Sequence, residues 1–181
     1  MAIERNAQFY HATIEGDAWF DRANIGSLTF VKTIFGKAKT QENACRAAKV
    51  TQERNGYRDL ADYHYYREME AKRKQKRLLV KLLELPIQYI FGYGVKPFRL
   101  ITWWLCVVIA LALAYWLGNG VLEATTFWEH LYFSVTTSAT PGYGGYDPKP
   151  GLYQNLATLQ AIFGTFMWAA FIATFARKFM R

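Results

Sequence analysis

Leu100 to Leu117 is an 18-residue run with Thr102 as its only clearly polar member. As a helix it rises ~27 Å, the thickness of a bilayer's hydrocarbon core. A second run, from about Leu156 to Ala176, is interrupted only mildly, by Thr158, Gln160, Thr165 and Thr174. Lys96 and Arg99 stop the first run at one end and Gly118-Asn119-Gly120 at the other, and Arg177 and Lys178 end the second. Trp103, Trp104, Tyr115 and Trp116 lie near the ends of the first run, where amphipathic rings prefer the membrane interface. The alternative, a buried helix of a soluble protein, fits poorly with a run of this length that carries no charge. A membrane helix with several small and polar residues faces other helices or water. The second run is therefore the better candidate to line an aqueous path.

The segment between the runs constrains the architecture further. Thr126-Phe127-Trp128-Glu129 reads as a capping box, with Thr126 as N-cap and Glu129 three residues on. Phe127, Leu131, Ser134 and Val135 share one helical face. The helix should end near Ser138, at ~18 Å, too short to span. The chain then enters Thr140-Pro141-Gly142-Tyr143-Gly144. A glycine-rich loop at membrane depth is tolerated only where protein buries it or where it lines a wet cavity. One chain cannot bury it, but several copies around an axis can.

The chemistry of that loop suits a cation. Backbone carbonyls replace an ion's water without full negative charge, so the ion can also leave. Gly142 and Gly144 take positive φ cheaply, which lets successive carbonyls point the same way. Thr140 adds a hydroxyl oxygen, and Tyr143 is large enough to brace the loop against Trp128 or Tyr132. The short helix ends with its partial negative charge toward the loop.

These residues resemble the pore domain of the two-transmembrane, one-pore-loop potassium channel family over roughly residues 99–178. Thr137-Ser138-Ala139-Thr140-Pro141-Gly142-Tyr143-Gly144 aligns with that family's filter segment. The resemblance implies a homotetramer in a lipid bilayer, the plasma or inner membrane, with K+ (or Na+) as permeant ion and no cofactor. Thr140, Pro141, Gly142, Tyr143 and Gly144 would form the ion-coordinating filter. Gly164 lies 20 residues beyond Gly144, where the family has its gating hinge. Trp168, Ile172 and Phe175 fall at helical spacing as candidate gate residues. Glu123, Glu129 and Asp147 would stand at the outer mouth, with Asp147 best suited to concentrate cations. A second Gly-Tyr-Gly, Gly92-Tyr93-Gly94, lacks the threonines and the preceding short helix and reads as an ordinary turn.

Three departures from the family pattern bear on selectivity. Pro141 replaces the usual Val or Ile, which disfavours the right-handed helical region at Thr140 and removes one N–H. Ala139 stands where a threonine is common. Gly145 replaces the usual Asp, and Thr136 the Glu often found behind the filter, so carboxylate bracing is absent. Potassium conduction is the expectation. The alternatives are a poorly selective monovalent cation pore and a non-conducting membrane-anchored scaffold.

Charge is divided along the chain. Of 22 Lys and Arg, 18 fall in residues 1–99, with 11 of the 14 acids. The basic excess flanks the apolar runs on one side, the positive-inside pattern, and places both termini in the cytoplasm. Nucleic-acid binding is the alternative for Lys72, Arg73, Lys74, Lys76 and Arg77; a solvated helix face near anionic headgroups suits their position better. Residues 1–20 are polar and mixed in charge, which does not read as a signal peptide. Cys45 and Cys106 suggest no disulfide framework. There is no nucleophile–base set, phosphate loop or metal-ligand spacing, so an enzyme is not expected.

In the front part, Phe20, Ile25, Phe30 and Phe35 recur every five positions, and Phe9 and Ile14 share that spacing after a slip near Trp19. Neither helix nor strand has that period, but a square solenoid does. The segment resembles pentapeptide repeats; a short irregular β segment is the alternative. A helix follows from about Gln41 to Arg54, closed by Asn55-Gly56. A second runs from Arg58 to about Leu85, ahead of Pro86, and its apolar end could lie on the membrane surface or pack on a neighbouring subunit. A cytoplasmic ligand is conceivable, but no motif identifies one.

The expected fold is therefore a mainly α membrane protein. Residues 1–38 form a cytoplasmic β-solenoid fragment and 39–98 a helical hairpin and linker. Residues 99–181 form a pore domain with outer helix 99–117, pore helix 127–138, filter 140–144 and inner helix 152–176.

Overall fold

The structure is a computed structural model that describes residues 6–20, 25–140 and 144–180. The chain divides into two compact units, Met1–Val95 and Lys96–Arg181.

In the first unit, β1 (Asn6–Tyr10) pairs in parallel with β3 (Ser27–Val31), with Asn6 opposite Ser27. Strand β2 (Thr13–Ile14) pairs in the same way with β4 (Ile34–Phe35), with Thr13 opposite Ile34. The chain thus makes one circuit and lies down beside itself. The five-residue spacing puts its aromatic rings inside that circuit. Phe9 stacks on Phe30 at 5.1 Å, and Phe20 and Phe35 meet Phe30 edge-on at 5.0 and 5.5 Å. The expected pentapeptide-repeat solenoid is nevertheless not supported. The strands among the described residues are short and paired only two by two. A helix, not further turns of strand, closes their interior: α1 (Ala38–Arg54) lays Ala44 and Ala48 against Leu28 and Phe30.

The helices also satisfy the outer edge of β3. An open strand edge carries unpaired N–H and C=O groups that need partners. Thr51 Oγ1 accepts from the Leu28 N–H at 3.3 Å, and Gln52 Nε2 donates to the Leu28 carbonyl at 2.8 Å. Arg67 donates to the carbonyls of Phe30 and Thr33, and the Tyr63 hydroxyl accepts from the Lys32 N–H. Asn55 Nδ2 donates to the Gly26 carbonyl at 2.7 Å.

α1 and α2 (Arg58–Lys74) pack as the predicted hairpin. Buried between them, Glu68 is 2% exposed and meets Arg46 and Lys49 at 3.1 Å and Lys72 at 2.7 Å. Burial raises its carboxyl, but hydrogen bonds from Lys72, Lys49 and Arg46 outweigh that and hold it below the ordinary value. His64 is fully buried against Phe30 and Tyr63, and burial together with the charge of Arg67 brings its pKa down to about 4.

The second helix does not run on to Leu85 as expected. It stops at Lys74, and two short helices follow: α3 (Leu78–Leu83) and α4 (Leu85–Tyr89). The break falls in Lys72-Arg73-Lys74-Gln75-Lys76-Arg77. A continued helix would set Lys72 over Lys76 and Arg73 over Arg77, and like charges at that spacing repel. Pro86 sits in the first turn of α4, where its missing N–H costs nothing, and is not a stop. Gly92–Gly94 forms a single 3-10 turn, with the Tyr93 ring against Tyr66 at 5.6 Å.

Among the described residues the second unit holds three helices: α5 (Pro97–Leu117), α6 (Phe127–Ala139) and α7 (Leu152–Phe179). α5 and α7 are long and apolar enough to cross a membrane. α7 continues three residues past the expected 176, carrying Arg177 and Lys178 in its last turn, where cations suit the helix dipole. The core is small: Tyr115, Val121, Ala124, Phe133 and Ala157. Most of the remaining apolar surface of α5 and α7 faces outward, as expected of helices that meet lipid or other copies.

Candidate functional site

The short helix begins as its sequence predicts. Thr126 Oγ1 accepts from the Glu129 N–H at 3.4 Å, and Glu129 Oε2 accepts from the N–H groups of Thr126 and Thr125 at 2.8 and 2.6 Å. The Glu129 carboxylate is thus engaged in the cap.

A buried polar chain holds this helix to both long ones. Ser134 Oγ donates to the Val108 carbonyl of α5 at 2.8 Å. Gln160 of α7 donates through Nε2 to the Ser134 carbonyl at 2.9 Å and its Oγ at 2.7 Å. The Tyr115 hydroxyl of α5 donates to Gln160 Oε1 at 3.0 Å. Tyr115, Ser134 and Gln160 are all at most 2% exposed. Polar groups in such surroundings are costly unless paired, and here each finds a partner. Sequence reasoning noted Gln160 only as an interruption of the second run. An amide in an otherwise apolar span was the signal for a buried partner.

α7 passes close to α6 at Gly164. A Cβ placed there would lie 2.0 Å from the Ser138 carbonyl oxygen. α7 is a continuous helix through this point. Of the proposed gate residues, Trp168 packs edge-on against Trp104 of α5 at 5.7 Å. Phe175 lies along its own helix between Phe171 and Phe179. Ile172 stands clear, 62% exposed.

At the loop end, the Thr140 N–H donates to the Thr136 carbonyl at 2.8 Å and closes α6. Pro141, Gly142 and Tyr143 lie outside the described residues. Gly144 returns against α6 so tightly that a Cβ there would meet Thr136 Oγ1 at 2.8 Å. Gly145 follows with φ +67°, a region L side chains enter only with strain. Beside Gly144 a half-open cleft of about 500 Å³ lies between α6 and α7, lined among others by Thr136, Thr137, Gln154 and Thr158. Beyond it the Leu122 N–H donates to the Asp147 carbonyl at 2.7 Å, and Lys149 N–H to the Gly120 carbonyl at 2.8 Å. These bonds tie the segment after the motif to the end of α5. Glu123 sits in the adjoining turn with φ +62°.

Residues 102–181 match a family model described as an ion channel. No curated protein and no solved structure matches the chain. This part of the chain is similar to an ion-channel domain, and α5 and α7 within the unit are long and apolar enough to cross a membrane.

Proposed function

We propose that four copies of this chain form a channel that conducts potassium through rings of oxygen atoms from Thr140, Pro141, Gly142 and Tyr143. The observation that carries this reading is the buried suspension of α6 between α5 and α7 through Ser134 and Gln160. A helix too short to span, held at membrane depth and ending at Thr140, turns its partial negative charge toward the Thr-Pro-Gly-Tyr-Gly loop. Both termini would be cytoplasmic. Asp147 would draw cations to the outer mouth, and Gly164 and Ile172 are the gating candidates. The front unit would serve assembly or regulation.

A poorly selective monovalent cation pore is the second reading. The Thr136 hydroxyl stands behind Gly144 where the family has a carboxylate, and Gly145 offers no side chain to brace against. Flux from liposomes loaded with potassium or with sodium tests both. Potassium release well above sodium release supports the first reading, and equal release the second. Release of neither ion, even after Ile172→Ala and Phe175→Ala, would leave only a membrane-anchored scaffold.

A further inference from the structure

We propose that α3 is a membrane-surface anchor that binds anionic lipid headgroups on the face of the bilayer where α5 begins. Leu78, Leu79, Val80, Leu82 and Leu83 are 71, 75, 40, 53 and 76% exposed, and no residue of this helix is buried. Five large apolar side chains in six residues form a concentrated patch that water does not favour. The charges around it are predominantly positive, with Glu84 at its C-terminal end. Lys72, Arg73, Lys74, Lys76, Arg77 and Lys81 lie within ten residues, with no acid among them. Lys72, Lys74 and Lys76 each pair with a glutamate, Lys76 with Glu84 across the patch. Lys74, Lys76 and Arg77 remain exposed to solvent.

The sign of these charges selects the occupant. A second copy seated on this patch would bring the same cations against it, and protein interfaces exclude lysine from their centres. A leaflet of anionic lipid supplies both requirements at once, a hydrocarbon boundary for the leucines and phosphates for the cations. Chain length keeps the bilayer within reach. α5 starts at Pro97, so the residues between it and Leu83 bridge at most ~50 Å when extended. Lys and Arg stems also lie along apolar surface while their heads reach the phosphates. The inference rests on membrane residence and not on conduction, so its test needs no ion flux.

The full chain, with Cys106→Ser and a polarity-sensitive fluorophore on Leu79→Cys or, separately, Leu83→Cys, is reconstituted into phosphatidylcholine vesicles with and without phosphatidylglycerol. Lipids spin-labelled at a shallow or a deep acyl position serve as quenchers. With phosphatidylglycerol the expected result is blue-shifted emission at both sites, quenched more by the shallow label. Pure phosphatidylcholine, or Arg77→Gln with Lys81→Gln, should lower that quenching at least about twofold. Water-like emission, or quenching indifferent to lipid charge, overturns the proposal. Blue-shifted emission that no lipid quencher reaches also overturns it, in favour of packing between copies.

Discussion

Gly164 of α7 lies against the Ser138 carbonyl of α6 so closely that a Cβ would come within 2.0 Å of the oxygen. Two helices can approach this far only where one lacks a side chain, as glycine commonly allows in membrane helix pairs. The contact gives a hinge and a packing role opposite signatures. Gly164→Ala at a pure hinge raises helix propensity by about 1 kcal/mol and stabilises α7. At this contact it must push α7 away from α6, a backbone overlap that costs roughly 1–3 kcal/mol or more. Thermal unfolding of the detergent-solubilised protein should show a lower midpoint for the variant.

Gln160 is the second link between the same helices. Gln160→Leu leaves the Tyr115 hydroxyl and the Ser134 carbonyl without this partner, for a loss of about 1–3 kcal/mol. Tyr115→Phe removes one hydroxyl and should cost less, about 1 kcal/mol. In the double variant the two losses should not add, because both act through the Tyr115–Gln160 bond at 3.0 Å. Additive losses in denaturation midpoints would dissolve the proposed network.

Glu129 and Asp147 should separate cleanly. Glu129→Ala removes a reciprocal cap and should lower stability by about 0.5–2 kcal/mol while leaving single-channel conductance near that of the parent. Asp147→Asn should do the reverse. Its conductance falls at low ionic strength and recovers at high salt, where the local field is screened. Bilayer recordings at two salt concentrations decide between them.

Selectivity should respond to Pro141. Pro141→Val restores an N–H and frees Thr140 from the restriction a following proline imposes. The potassium-to-sodium permeability ratio, read from reversal potentials, should rise. Gly145→Asp should not help in the same way, because φ +67° strains any L side chain.

The front unit should weaken on acidification. An unfolded His64 takes up a proton below about 6.5, whereas the folded one resists until about 4. Stability therefore falls as pH drops through that window, by about 3 kcal/mol in all. Glu68 extends the loss to lower pH, since its folded carboxyl lies below the ordinary value and its ion pairs disappear as it protonates. Hydrogen exchange at the Leu28–Phe30 amides should show protection declining through this range, and His64→Phe should flatten the part above about 4.

Much of this was legible in the sequence because it depends on local patterns. Runs of apolar residues mark α5 and α7, Thr126 and Glu129 mark the start of α6, and the five-residue spacing brings Phe9, Phe20, Phe30 and Phe35 together. Each follows from periodicity or from a bond between near neighbours in the chain. The break after Lys74 was also local, but the apolar pattern of Leu78–Leu85 concealed the like-charge stacking that disfavours a continued helix there.

Tertiary structure decided the rest, because it turns on which groups meet across elements. Gln160 finds Ser134 and Tyr115 from distant parts of the chain, Gly164 meets the Ser138 carbonyl, and Arg67 reaches the edge of β3. No spacing rule names such partners: a buried polar group requires some partner, and only the packing determines which one. The sequence by itself thus determined two spans, a short helix and the motif that follows it. The packing added a close contact at the glycine read as a hinge and made an interrupting glutamine the link between the helices.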